Sequence, residues 1–156
     1  MVATAVLANI LLAMSVVFAF ANENRFGIGL THEDQEIPAS PPAVSLSPDN
    51  LDFGNQVARR TSTAKRITVQ NTGGKPLYVD SVVISGDNPN SFALLKDTCT
   101  GATVAPARAC ILDVTFTPTG TGGRNARLRL NDNATDSPQR LPLKGNGINT
   151  NDVPPF

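Results

Sequence analysis

Apolar and polar side chains alternate with a period of two through most of the chain beyond residue 43. The alternation is interrupted by turn residues about every 8–12 positions, which is the rhythm of short strands. Lys65–Gln70 is the cleanest case, with Ile67 and Val69 on one face and Arg66, Thr68 and Gln70 on the other. Cys110, Leu112, Val114 and Phe116 alternate with Ile111, Asp113, Thr115 and Thr117, and Ala126, Leu128 and Leu130 alternate with Arg127 and Arg129. Shorter extended runs are predicted at Ala43–Leu46, Leu51–Val57 and Phe92–Leu95, with a longer one at Leu77–Ile84. In that longer run the apolar parity shifts between Val79 and Val82, which predicts a bulge or bend. A last strand carries Leu141 and Leu143 and closes at Gly145–Gly147. The turns between them are rich in Gly, Pro, Asn and Asp, as at Asn71–Gly74, Gly86–Asn90 and Pro118–Gly123.

No segment of this region keeps helical spacing. Strands with one apolar face must bury that face, and two sheets packed face to face bury both. The pattern predicts an all-β, immunoglobulin-like β-sandwich of about seven strands. Its expected core is Leu51, Phe53, Ile67, Val69, Leu77, Val79, Val82, Ile84, Phe92, Leu112, Val114, Phe116, Leu128, Leu130, Leu141 and Leu143.

The chain ahead of that domain follows other rules. In residues 2–21 only Thr4, Asn9 and Ser15 are not apolar, and Ala19-Phe20-Ala21 supplies a small-x-small cleavage site. No Lys or Arg precedes the run, so two readings stand: a signal peptide cleaved before Asn22, or an uncleaved membrane anchor formed by residues 2–21. Either exports the remainder. Residues 22–42 hold every Glu of the chain (Glu23, Glu33, Glu36) and Asp34 against Arg25 alone, a net charge of −3. They end in Pro41-Pro42 and read as an acidic, Pro-containing linker in which His32 is a solvated side chain. The domain spans residues 43–148, and 149–156 form a tail.

Composition mainly excludes. The 156 residues carry 13 basic and 13 acidic side chains, so there is no cationic excess of the kind a general nucleic-acid binder needs. With one His and two Cys, a self-contained zinc site and His-dependent catalysis are both hard to assemble. No nucleophile motif or phosphate loop is present. The expectation is a protein that is not an enzyme and takes no cofactor. Within 43–148, however, 12 basic residues face 8 Asp, for a net charge of +4. Arg59, Arg60, Lys65 and Arg66 are grouped near one turn and strand and Arg124, Arg127, Arg129 and Arg140 near another. Of these, Arg59, Arg60, Arg66, Arg124, Arg127 and Arg129 are the candidates for a basic interaction patch that takes an anionic partner. The reading the sequence favours is an ordinary solvated strand face that discourages edge aggregation, with the patch as the alternative. The oxygen-rich run Asn131–Asp136 lacks the Gly and Glu of a calcium loop and reads as a polar turn.

An ordered set of short motifs then carries a resemblance. Leu51-Asp52-Phe53-Gly54-Asn55-Gln56-Val57 is followed by Thr68-Val69-Gln70-Asn71-Thr72-Gly73, Pro76-Leu77, Ser85-Gly86 and Thr98-Cys99. Cys110 through Thr119, Asn133-Ala134-Thr135-Asp136-Ser137-Pro138 and Leu143-Lys144-Gly145-Asn146-Gly147 complete it. This order resembles the bacterial choice-of-anchor D repeat, a relative of the abnormal-spindle/hydin (ASH) and major-sperm-protein-like immunoglobulin domains, over about Val44 to Ile148. Arg59, and Ala107 after Pro106, stand where members often have Gly. Members usually occur in tandem, whereas one copy is present here. The resemblance implies a non-enzymatic module for surface display, spacing or protein binding. Its eukaryotic relatives, cytoskeletal and ciliary, become the model if the leader is not an export signal.

Two cysteines in an exported chain most simply form a disulfide, and Cys110 shares the inward face of Leu112 and Val114, so a Cys99–Cys110 bond is expected. The rival, a reactive or metal-binding thiol pair, lacks both the close Cys spacing and a nearby His. Taken together, the sequence predicts a secreted, periplasmic or cell-surface interaction or adhesion module. Its partner is expected to be a protein or an envelope polysaccharide, not nucleic acid, with membrane contact only through an uncleaved leader. A passive structural spacer is the alternative.

Overall fold

The computed structural model describes residues 39–152. The predicted leader (1–21), most of the linker including His32, and the end of the tail lie outside the described residues. Nine strands form within them: β1 (Val44–Ser47), β2 (Leu51–Val57), β3 (Lys65–Asn71), β4 (Leu77–Ser85), β5 (Phe92–Asp97), β6 (Thr103–Val104), β7 (Ala109–Phe116), β8 (Gly122–Asp132) and β9 (Gln139–Ile148). Two single 3₁₀ turns sit at Pro89–Ser91 and Thr150–Asp152.

The strands make two sheets, one of four in the order β1-β3-β7-β5 and one of five in the order β2-β9-β8-β4-β6. Every ladder is antiparallel except β2 with β9, which run parallel. The expected immunoglobulin-like sandwich is therefore present, with nine strands instead of about seven. One of the additional strands, β6, is only two residues long. Two others are longer than the alternation indicated. β8 begins at Gly122 inside the Gly-rich stretch, and β9 runs through Gly145–Gly147 to Ile148.

The inner faces of both sheets merge into one core. It contains 14 of the 16 expected residues, Phe53 the most exposed at 9%. Phe53, Phe92 and Phe116 form its aromatic centre, with ring centroids 4.9–5.9 Å apart. Gly145 packs under this cluster, where a Cβ would overlap the Phe116 ring. Val82 and Ile84 are the exceptions. Both face inward, opposite the core residues Leu130 and Leu128, yet both stay part-exposed. The cause is the length of β6. It covers only Leu77 and Tyr78 of β4, so the rest of β4 forms the rim of the sheet. The parity shift in β4 corresponds to a bulge between Val79 and Ser81.

Asn71 is the polar pin of the fold. It is fully buried, and its amide donates to the carbonyls of Lys75 and Val104, both at 2.9 Å. Its Oδ1 accepts the Gly73 N–H at 3.0 Å. Each of these groups would otherwise be under-satisfied in or near the core, so this one side chain ties the β3–β4 turn to β6.

Candidate functional site

The cysteines lie where the sequence placed them. Cys99 and Cys110 are bonded, with Cα atoms 5.2 Å apart, and both are buried. Cys99 sits just past β5 in a turn organised by Asp97. The Asp97 Oδ1 accepts the N–H groups of Cys99 and Thr100 at 2.8 and 2.9 Å, and its Oδ2 accepts the Thr100 hydroxyl at 2.6 Å. Partial burial would raise this carboxyl, but the Thr100 and Cys99 hydrogen bonds outweigh it and hold the group below the usual carboxylate range. The bond staples the 98–109 excursion, including β6, onto β7. It is a structural device, buried among apolar side chains.

The basic residues do not form one surface. Arg66 lies on the outer face of the four-stranded sheet, in a two-pronged pair with Asp113 on β7 (Nε to Oδ1 2.8 Å, Nη2 to Oδ2 3.0 Å). That pairing holds the Asp113 carboxyl below its ordinary value. Arg59 and Arg60 occupy the turn after β2, where Arg59 takes a left-handed backbone with φ +63°. Arg124 has the inward parity of Ala126 and Leu128. Its guanidinium folds back on its own loop, donating to the Thr121 and Gly123 carbonyls, and its Nε is buried without a partner. Only Arg127 and Arg129 remain as open cations on the outer face of the five-stranded sheet. There Arg129 stands directly opposite Arg140 on β9. Of Arg59, Arg60, Arg66, Arg124, Arg127 and Arg129, the structure thus brings only Arg127 and Arg129 together on this face, where Arg140 joins them. Strand parity tells which side chains point outward, but not which sheet a strand joins, and the two outer faces of a sandwich look away from each other.

This cluster is held together against like-charge repulsion, since Arg129 and Arg140 are direct cross-strand neighbours. Of the two ion pairs among the described residues, Arg66–Asp113 is on the other sheet. The second, Lys144 to Asp52 at 3.2 Å, lies on the same face toward β2. Among the described residues none of the three arginines has a carboxylate partner. Beside them on β4, Val83 is opposite Arg129 and is 48% exposed. An anionic surface or segment laid on this face would meet uncompensated charge next to apolar area.

The Asn131–Asp136 run is a turn that uses its own oxygens. Asp132 Oδ1 accepts the Ala134 N–H, Asn133 Oδ1 accepts the Tyr78 N–H, and Asp136 Oδ1 accepts the Gln139 amide, all at 2.8 Å. Burial pushes the Asp132 carboxyl above its ordinary value, and its Oδ2 has no partner. No cluster of three metal-ligating side chains occurs among the described residues, and none of their helices is long and apolar enough to cross a membrane.

Fold and site together define a disulfide-closed immunoglobulin-like sandwich whose open chemistry is a cationic sheet face. The chain belongs to the HYDIN/CFA65/VesB-like Ig-like domain family, whose model matches residues 42–146. No curated protein matches the chain. Among solved structures it is similar to a protein of unknown function from Porphyromonas gingivalis W83 (TM-score 0.56, 20% identity, 67% of this chain and 46% of that one). It is also similar to two Vibrio cholerae proteins. One is the VesB protease (TM-score 0.53, 17% identity, 66% of this chain and 31% of that one). The other is the secreted serine protease VesC (TM-score 0.51, 16% identity, 68% of this chain and 23% of that one). The chain therefore spans less than half of each of these structures, and at such identities the likeness is one of fold.

Proposed function

We propose that this protein is a non-enzymatic, exported interaction module of the cell envelope or cell surface, whose working surface is the outer face of the five-stranded sheet. The observation that carries this reading is the set of three arginines, Arg127, Arg129 and Arg140, gathered beside half-exposed Val83 and without carboxylate partners among the described residues. Like charges directly opposite across strands, as at Arg129 and Arg140, are destabilising, a cost that an anionic partner on this face would relieve. The Cys99–Cys110 bond suits an oxidising compartment. A similar fold occurs within a secreted serine protease, of which the match covers 23%, and this supports an exported setting. The partner is an acidic protein or an anionic envelope polysaccharide.

The test combines fractionation with partner capture. The expected result is oxidised protein outside the cytoplasm, with its N-terminus at Asn22, that retains an envelope component. Retention should fall at least about tenfold when Arg127, Arg129 and Arg140 are changed to Glu, since charge reversal at a complementary face also repels. Cytoplasmic protein with free thiols would overturn the export reading. Unchanged retention by the triple variant would overturn this choice of face, and no retained component at all would leave the domain a passive spacer.

A further inference from the structure

A β-sandwich has four sheet edges, and three of them here are blunted. β1 is four residues long between Pro42 and Pro48. β2 carries a bulge between Asp52 and Asn55, with Gly54 at φ +63°. β5 is bulged between Leu94 and Lys96 and ends in the charged pair Lys96-Asp97. Short length, proline, bulges and charge are the means by which edges avoid pairing with other chains. The fourth edge is different. β6 covers β4 only at Leu77 and Tyr78, with the chain at Ala102 and Gly101 bonding Val79. Beyond the bulge, Ser81–Ser85 pairs with β8 on one side and, among the described residues, with nothing on the other. This stretch, Ser-Val-Val-Ile-Ser, contains no charge, no Pro and no further bulge. Its inward residues Val82 and Ile84 pack on the core and remain part-exposed, as a flanking strand would leave uncovered space for its own apolar side chains.

We infer that Ser81–Ser85 is an acceptor edge, which binds an extended segment of a partner protein as a tenth strand. This rests on the reading of the domain as an interaction module and names the edge and the kind of partner. The charges around the edge specify the incoming sequence. Side chains of an added strand alternate between the core side and the outer face, and adjacent strands lie about 4.8 Å apart. Core-side positions beside Val82 and Ile84 call for apolar residues. The outer-face position beside Val83 looks across to Arg129 and Arg127, one strand further in, and calls for an acidic residue. Asp80 and Asp87 stand just outside the two ends of the edge and disfavour acidic residues there. The partner segment is therefore extended, with an apolar–acidic–apolar centre and neutral or basic ends. Main-chain bonds supply much of the affinity and the alternate side chains the choice of partner.

The test titrates the oxidised full chain with the capped peptide Lys-Ser-Val-Glu-Val-Ser-Lys and follows amide shifts and hydrogen exchange. Saturable binding with new protection at Ser81–Ser85 is expected. Replacing the central Glu of the peptide with Lys, or Val83→Glu in the protein, should weaken it at least about tenfold, through repulsion across the added strand. Val83→Glu leaves the core untouched, because Val83 points outward. Absence of binding, protection at β2 or β5 instead, or full binding by Val83→Glu would each overturn the inference. So would a concentration-dependent dimer abolished by Val83→Glu, since the occupant would then be a second copy of this chain. If Val83→Glu keeps envelope retention that the triple arginine variant loses, the edge is wrong and the interaction module stands.

Discussion

Arg59 and Ala107 are the two non-glycine residues with positive φ among those described, at +63° and +61°. They are also the two positions at which the sequence departs from the glycines common in domains that resemble it. The coincidence has a physical cause. The left-handed region brings Cβ close to the carbonyl and costs an L-residue about 1 kcal/mol, whereas glycine pays nothing there. Tertiary bonds hold both residues in place: the Arg59 N–H donates to the Pro118 carbonyl at 2.8 Å, and the Ala107 N–H to the Asn71 carbonyl at 2.9 Å. Arg59→Gly and Ala107→Gly are each expected to stabilise the domain by about 0.5–1 kcal/mol, the relief of strain being partly offset by the freer unfolded chain. Thermal melts of the single and double variants check this, and the double should be close to additive because the turns share no partner.

At the scale of elements, the Cys99–Cys110 bond closes a short loop, the sequence separation being 11. In the chain-entropy account such a closure is worth about 3 kcal/mol. The paired change Cys99→Ala/Cys110→Ala should lower the melting temperature by roughly 10–20 °C in a domain of this size, with the far-ultraviolet signature of the sheets retained. Hydrogen exchange in the variant should rise first at β6, which the bond and Asn71 both anchor. The same element shows where pattern reading ends. β3, β7 and β8 were readable because each alternates over at least five residues with one face buried. Thr103–Val104 is too short to show any period, and its place depends on contacts with Leu77, Tyr78 and Asn71 from elsewhere in the chain. The end of β9 was hidden by its glycines. Gly145 and Gly147 look like turn residues, but they are small because the Phe116 ring and the Gly120 carbonyl fill the space a side chain would need. The basic patch was half readable for a related reason. Parity exposed Arg127 and Arg129 correctly, yet Arg66 belongs to the opposite sheet and Arg124 to the inner parity of its own strand.

At the scale of the whole molecule, four carboxylates, Asp52, Asp97, Asp113 and Asp132, respond to pH in two opposing groups. Asp52 is held low by the Gly54 N–H and Lys144, Asp113 by Arg66, and Asp97 by the Thr100 and Cys99 groups that outweigh its partial burial. A group with a depressed folded value stabilises the fold above its unfolded value, near 4, and loses that contribution as pH falls through the folded one. Asp132 works the other way. Burial raises it, so its contribution is complete below about pH 4 and is lost as pH rises through the folded value. Three groups against one predict that stability declines on acidification below about pH 4. Asp132→Asn separates the two contributions. Its Oδ1 can still accept the Ala134 N–H, and the unpartnered Oδ2 site no longer holds a buried negative charge. The variant should melt higher than the parent at pH 7, and the difference should vanish near pH 3, where Asp132 is protonated in both states. A difference that persists unchanged at pH 3 would mean that packing in the Asn131–Asp136 turn, not charge, sets the cost of this residue. The open arginine face makes the same molecule sensitive to salt. Arg127, Arg129 and Arg140 repel one another while the face is bare, so added salt should stabilise the free domain while it weakens the hold on an anionic partner.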